Sequence, residues 1–328
     1  TALIAVTLGM GLATVFQPGV GLSITLPVDT AIPPAPDQSL IEMITALVPD
    51  NPVMAMAQGA VLPVIIFSVL LGMAILASGE EGASIARAMN AGSVVMQKMT
   101  IFVMELAPFG VFALIAWVSG TFGFEALIPL SKLVALNYAG CAIILAIVYP
   151  LILRLIARLP VVDFYRGIID AQAVAFSTAS SNAALPVTLR CVERNLGVSH
   201  AVASFTVALG ATINMNGTAM YLGVIALFGA QAYGIELTAI SYTLIALTAT
   251  LGAIGAAGVP GSGLVMMSLV LSSIGVPLET IAFVAGINHI LDMARTMTNV
   301  SGDAVVAVAV GRMSGEIDVE EYVSADDI

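Results

Sequence analysis

Long apolar runs make up most of this chain, and the places where they break are what organise it. A helix needs about 20 residues to cross a bilayer. On that measure the sequence predicts a helical segment over Thr1 to Phe16, a broken helix around Leu40 to Ala77, a long amphipathic helix from about Ala83 to Val118, and a span from about Leu130 to Ile156. Pro49, Pro52 and Pro63 bend or interrupt the second of these, because proline lacks an amide proton and crowds the preceding turn. Farther on, apolar stretches are cut by small and polar residues before they can span. Two cuts look alike, Phe176-Ser-Thr-Ala-Ser-Ser-Asn-Ala-Ala-Leu-Pro186 and Ile254-Gly-Ala-Ala-Gly-Val-Pro-Gly-Ser-Gly263. Each has apolar arms of about 10 to 18 residues, which suits a re-entrant hairpin. After each comes a helix with polar residues in mid-span, Asn214-Met-Asn-Gly-Thr218 and then Asp292 to Asp303.

The last of these helices carries the strongest signal. At about 100° per residue, Asn288, Asp292, Arg295, Asn299 and Asp303 fall on one side of a helix. A charge at mid-bilayer costs at least a few kcal/mol, so the stripe must face a protein interior, an aqueous cavity or a ligand path. His289 sits beside the stripe and is expected to be packed and neutral rather than a proton relay.

Composition agrees with the pattern. The chain of 328 residues is 59% hydrophobic and 9% charged with 30 glycines, and its mean hydropathy is +1.05, values that describe a multi-pass integral membrane protein. The net charge of -11 lies largely in loops and in the stretch from Glu316 to Asp327, read as a solvated tail, and nucleic acid is not an expected partner. Cys141 and Cys191 have no metal or disulfide spacing and read as structural thiols. Arg154, Arg158, Arg166, Arg190 and Arg194 mark a cytoplasmic side, and the loop between Gln17 and Ser39, without lysine or arginine, an external one. The chain opens inside an apolar run, so earlier transmembrane segments are expected before it, and no signal peptide is.

Paired interrupted segments in two halves point to an inverted-repeat transporter with its site at the midplane. Helix starts at the tips offer amides to an anion, and unwound carbonyls suit sodium. Four motifs in order, Ser180-Ser181-Asn182, Asn214-Met-Asn-Gly-Thr218, Gly258-Val-Pro-Gly-Ser-Gly263 and Asp292-Met-Ala-Arg-Thr-Met-Thr-Asn-Val300, resemble the dicarboxylate/amino acid:cation symporters, the glutamate transporter family. The resemblance covers essentially the whole chain.

It implies an all-α glutamate-transporter-like fold with two re-entrant hairpins, working as an elevator in a homotrimer set in the lipid of the cell (inner) membrane. Residues 1–16 would be a partial transport-domain helix, 17–39 an extracellular loop and 40–118 scaffold and trimerisation helices. The transport domain would be 119–328, with a helix at 130–156, a hairpin at 163–195, a polar helix at 200–230, a hairpin at 240–275, a polar helix at 278–313 and an acidic tail. Function would be sodium-coupled symport of L-aspartate or L-glutamate, with Na+ as coupling ion and no organic cofactor.

By the same resemblance, Arg295 would hold the substrate side-chain carboxylate, Asp292 its amino group, and Asn299 with Ser181 its α-carboxylate, while Thr218, Thr296, Val259 and Gly263 line the pocket. The chemistry agrees, since a guanidinium forks onto a carboxylate and a carboxylate satisfies an ammonium. One sodium would use Asp303 with Gly210, Asn214 and Asn299. A second would use Thr212, Ala253, Ile254 and Ala256 with the Met215 sulfur; hard cations prefer oxygen cages.

Several positions depart from the family pattern. Asn216 replaces an aspartate of a third cation site whose other members would include Thr1 and Asn214, and Ala2 replaces a hydroxyl there, so that site is expected to be weak or absent. Leu222, Ala179 and Met293 lack groups tied to proton and potassium coupling, and Asn288 replaces an acid near Arg295.

Other classes fit less well. An intramembrane aspartyl protease needs facing carboxylates, whereas Asp292 and Asp303 are about 16 Å apart along one helix. A retinal-type pump needs a mid-helix lysine, and Lys98 and Lys132 lie outside the polar core. No enzyme is expected. A proton-coupled acidic amino acid or C4-dicarboxylate symporter of the same fold remains an alternative, and an anion-conducting channel is the rival from another class.

Overall fold

The computed structural model describes residues 1–22, 48–58, 60–123 and 127–324. The expected external loop lies, from residue 23 onward, outside the described residues, as does the start of the predicted 40–77 segment. What is described is helical, joined by short turns. The one β feature among these residues is an isolated antiparallel bridge between Val198 and Ile317. Compactness divides the chain into two units, one from residues before 33 and from 114 onward, the other from the stretch between.

In the smaller unit, α2 (Pro52–Ala57) and α3 (Val61–Ala77) stand where a broken helix was predicted. Pro52 occupies a first-turn position in α2, where its missing amide proton costs nothing, and Asn51 caps the turn by accepting from the amides of Val53 and Met54. The single helix predicted over 83–118 is instead two, α4 (Ala83–Met104) and α5 (Ala107–Phe122), the latter reaching into the larger unit. Pro108 supplies the reason, since its ring clashes with the carbonyl four residues earlier and no amide is there to continue the ladder.

The larger unit holds α1 (Ala2–Phe16) and α6 (Leu127–Ile143), which runs on helically to Ala157 through wider π turns at Ile144–Val148 and Leu153–Ala157. After these come α7 (Val161–Gly167), α8 (Ile169–Thr178) and α9 (Ser181–Arg190). Next are α10 (His200–Ile213), α11 (Asn216–Ala232), α12 (Ala239–Gly255), α13 (Ser262–Ser273) and α14 (Glu279–Ala285). The 27-residue α15 (Asn288–Ser314) and the short α16 (Val319–Tyr322) complete it.

Two described stretches are long and apolar enough to cross a membrane, 127–157 and 200–232. Their burial differs, 28% against 94% of the most apolar window: the first turns most of its surface outward, whereas in the second α11 is almost wholly buried and α10 still exposes Phe205, Leu209 and Ile213. The second is also not one helix. Asn214 and Met215 leave helical geometry between α10 and α11, which frees backbone groups in the middle of the core. α15 packs against α8, α10, α11 and α6.

Each predicted break is a helix–tip–helix pair. In the first, Ala179 takes left-handed backbone angles and Ser180 caps α9 by accepting from the Ala183 amide at 3.2 Å. In the second, α12 ends at Gly255 and α13 begins after Gly261, which has φ near +80°, a conformation that suits glycine.

Two expectations are corrected. His289 is exposed, not packed, because it falls off the buried side of α15. The stretch from Glu316 is not a free solvated tail: it turns back at Gly315 and buries Tyr322. Both cysteines are buried and free.

Candidate functional site

Asn288, Asp292, Arg295, Asn299 and Asp303 are all buried along α15, so the predicted stripe faces the interior. Arg295 is 1% exposed, and a guanidinium so removed from water needs partners. Its Nη2 donates to Asp292 Oδ1, and its central carbon lies 4.2 Å from the centre of the Tyr221 ring, within cation–π range. Its Nε and Nη1 are buried without a hydrogen-bond partner. Two nitrogens of the guanidinium, pointing to different sides, thus stand uncommitted, and either would donate to a carboxylate ligand.

The neighbouring groups hold this arrangement in place. The second oxygen of Asp292 accepts from the Gly261 amide at 2.9 Å, tying the second tip to α15. Tyr221 donates to Asn288 Oδ1 at 3.3 Å. Gly263 has no side chain because a Cβ there would fall on the guanidinium. The tips also meet: the Gly258 carbonyl accepts from Ser180 Oγ at 2.8 Å and from the Asn182 amide at 3.0 Å.

Asn299 closes the N-terminus of α11. Its Oδ1 accepts from the Gly217 amide at 2.7 Å and the Thr218 amide at 3.4 Å, and its Nδ2 donates to Thr218 Oγ1 at 3.1 Å. First-turn amides have no partner within their own helix, so the carboxamide fixes α11 against α15. Thr218 in turn sits 4.0 Å from the Met215 sulfur.

A second polar cluster lies deeper along α15. Asp303, fully buried, accepts from Asn214 Nδ2 at 3.1 Å. Asn214 Oδ1 accepts from Thr1 Oγ1 at 3.1 Å and from Asn216 Nδ2 at 3.2 Å. Asn216 Nδ2 also donates to Tyr149 Oη at 3.0 Å, and Tyr149 donates to the Thr298 carbonyl at 2.9 Å. Asn216 Oδ1 is buried without a partner. Gly210 packs against Asp303 so closely that a Cβ would meet its carboxylate.

Four sequence-predicted sets therefore fare differently. Asp292, Arg295 and Gly263 come together, as do Asn299 with Thr218; Ser181 and Thr296 are buried, and Val259 is half-buried beside the joined tips. Of the first cation set, Gly210, Asn214 and Asp303 meet, with Asn299 one turn earlier on the same helix. Thr1, Asn214 and Asn216 are likewise hydrogen-bonded. In the second cation set α10 and α12 pack together, but Thr212 and Ile254 are exposed while Met215, Ala253 and Ala256 are buried, and the hydrogen bond found within the set is the local turn in which the Ala256 amide donates to the Ala253 carbonyl at 3.4 Å. No cluster of three His, Cys, Asp or Glu side chains occurs among the described residues, so a cation here would depend on carbonyl, amide and single-carboxylate oxygens.

Sequence reasoning missed Tyr149 and Tyr221, and named Ser180 only as part of the first tip motif, without its contact to Gly258. Tyr221 was open to discovery, being one turn past Thr218 on the same helix. Tyr149 lay inside an apolar run with no motif beside it.

Helix breaks in a buried polar core, with an arginine–aspartate pair beside them, are the geometry that the family has to explain. The comparisons give the family. The profile of the sodium:dicarboxylate symporter family matches residues 1–313, and the chain belongs to that family, as the four motifs implied. It is 34% identical over 325 residues to the proton/sodium-glutamate symport protein of Geobacillus stearothermophilus, covering 97% of this chain and 77% of that one. It is 37% identical to the proton/glutamate-aspartate symporter of Escherichia coli, over 96% and 74% of the two chains. To the C4-dicarboxylate transport protein of an Anaeromyxobacter strain it is 32% identical, over 96% and 73%. Family and relatives alike are symporters, not enzymes, and the chain is a membrane protein.

Proposed function

We propose that the protein is a sodium-coupled symporter of an acidic amino acid, L-aspartate or L-glutamate. The observation that carries this reading is the buried Arg295 with one nitrogen on Asp292 and two unengaged. A substrate carboxylate would accept from those donors. Asp292 accepts from the Gly261 amide of the second tip at one oxygen and from Arg295 at the other, and a substrate ammonium would offset the charge of the carboxylate that the substrate brings to Arg295. A substrate without a side-chain carboxylate would leave Nε and Nη1 buried and unsatisfied, a costly arrangement. Ser181, Thr218, Val259, Gly263, Thr296 and Asn299 would shape the rest of the pocket.

Sodium is the coupling ion in this reading. Asp303 is a buried carboxylate whose hydrogen-bond donor is a neutral amide, and a bare anion there is costly without a cation. Gly210, Asn214 and Asn299 add oxygens around it. The second ion would take Thr212, Met215, Ala253, Ile254 and Ala256 when the second tip closes, which fits a set only partly buried. The third site, at Thr1, Asn214 and Asn216, is weak or absent because Asn216 offers an amide where a cation needs a carboxylate.

The wider organisation proposed is a multi-pass protein of the cell membrane, a homotrimer whose 40–118 region is the scaffold and whose remaining helices carry the site across as an elevator, the helical pairs being re-entrant. One further reading has its own support. A proton on Asp303 would neutralise the same buried carboxylate, and the Escherichia coli relative is named a proton symporter.

Calorimetric titration of the purified protein with L-aspartate tests the assignment. Binding should require sodium and vanish in Asp303→Asn. Equal binding in sodium-free buffer would overturn sodium coupling.

A further inference from the structure

Beyond α15 the chain does something the transport reading does not use. Gly315, with φ near +75°, ends α15 and reverses the backbone, and the Glu316 amide returns to the Gly311 carbonyl at 2.8 Å. The returning strand then pairs with the exit of the first helical pair. The Ser199 amide donates to the Glu316 carbonyl at 2.9 Å, Val198 bridges Ile317, and the Asp318 amide donates to the Gly197 carbonyl at 2.7 Å. Gly197 has φ near +63°, and a Cβ on it would strike the Asp318 carbonyl, so the close approach is built into the sequence. Asp318 caps α16 through the amides of Glu320 at 2.9 Å and Glu321 at 3.2 Å.

The other foot of the pair is held too. Tyr322, 1% exposed, donates from its hydroxyl to the Pro160 carbonyl at 2.9 Å, at the start of α7. Between the feet, Asn195 Nδ2 donates to the Gly167 carbonyl at 2.9 Å. Seven residues thus bridge the entrance, the exit and the end of α15.

We infer that Glu316–Tyr322 is a clasp that fixes the first helical pair to α15, with Tyr322 as its positioning residue. Ser180, which meets Gly258 at the other end of this pair, and Ser181 are carried on helices whose base the clasp holds. The first pair is thereby a rigid wall against which the second pair closes, since among the described hydrogen bonds the second pair is tied to α15 at its tip, Gly261 to Asp292, and not at its feet. This rests on the proposed role of the first tip for its consequence in transport, though not for the clasp itself.

Hydrogen exchange on the purified full-length protein, read alongside substrate uptake, separates the two. In Tyr322→Phe and in Asp318→Ala, amides over 159–168 and 191–199 should exchange roughly fivefold faster, the scale of one lost hydrogen bond, with 239–273 unchanged. KM should rise at unchanged Vmax in both variants. Exchange at those amides equal to wild type in both variants, or raised equally throughout 239–273, overturns the clasp. Faster exchange at the base with KM unchanged overturns its positioning role and leaves the substrate assignment of Arg295 to its own test. Should Asp318→Ala fail to fold, Tyr322→Phe, which removes one hydroxyl, decides the matter.

Discussion

The central carbon of the Arg295 guanidinium lies over the ring of Tyr221, 4.2 Å from the ring centre. Tyr221 is held from the other side by Asn288, so a neutral amide, not a carboxylate, ends the chain of contacts. Arg295 then has one carboxylate, Asp292, as its charge partner and keeps donors for a second. Removing the ring should loosen this. Tyr221→Leu should weaken acidic substrate binding about thirtyfold, the equivalent of about 2 kcal/mol for a desolvated cation–π contact, and Tyr221→Phe by much less. Equal affinities in the two variants, measured by calorimetry, would mean that the stack plays no part in binding.

Arg295 itself is the specificity test. Arg295→Thr and Arg295→Cys should abolish uptake of aspartate and glutamate and admit small neutral amino acids, whose carboxylate and ammonium Asn299 and Asp292 would still receive. Uptake of labelled aspartate and serine by cells expressing each variant reads this directly. Unchanged aspartate uptake would remove Arg295 from the site.

A side chain at position 263 has nowhere to go, because its Cβ would occupy the space of the guanidinium. Gly263→Ala should therefore displace Arg295 and cost roughly 1 to 3 kcal/mol of substrate affinity, as overpacking does. A dissociation constant within a factor of two of wild type would show that the guanidinium is free to move.

Asn216 offers the clearest test of ion stoichiometry. Asn216→Asp places a carboxylate beside Tyr149, Asn214 and Thr1, and should steepen the sodium dependence of uptake. An unaltered Hill slope in a folded, active variant would indicate that residues other than 216 limit the third site.

The clasp has a pH signature. Burial, and less so the nearby Asp163, raises the Tyr322 hydroxyl above the ordinary tyrosine value near 10. A group whose acidic form is favoured by folding contributes fully below its unfolded value and loses that contribution as pH rises through the folded one. The melting-temperature gap between wild type and Tyr322→Phe should stay constant from pH 6 to 9 and shrink only above 10. A gap that closes near neutrality would contradict this.

Much of the site was legible in the sequence because burying charge in an apolar helix is costly enough to leave a pattern. The stripe from Asn288 to Asp303 and the two interrupted segments both announced themselves in this way. What the pattern did not carry was contact between distant segments. Ser180 meeting Gly258 depends on two loops separated by 78 residues, and no periodicity encodes that. The break before α5 was missed because the apolar pattern runs through Glu105 and Leu106, and the effect of Pro108 on the preceding turn was not weighed. The return of Tyr322 was hidden by the acidic residues around it, which read as solvated although a single buried aromatic anchors the segment.

The central claim is that sodium drives an acidic amino acid through the site at Arg295. The most direct measurement is radiolabelled L-aspartate uptake by the reconstituted full-length protein under sodium and proton gradients imposed separately, with sodium varied to obtain a Hill slope. Uptake driven by sodium alone, with a slope near or below two, is the predicted result. Uptake driven by protons alone would contradict it and would make Asp303 a proton carrier instead of a sodium ligand.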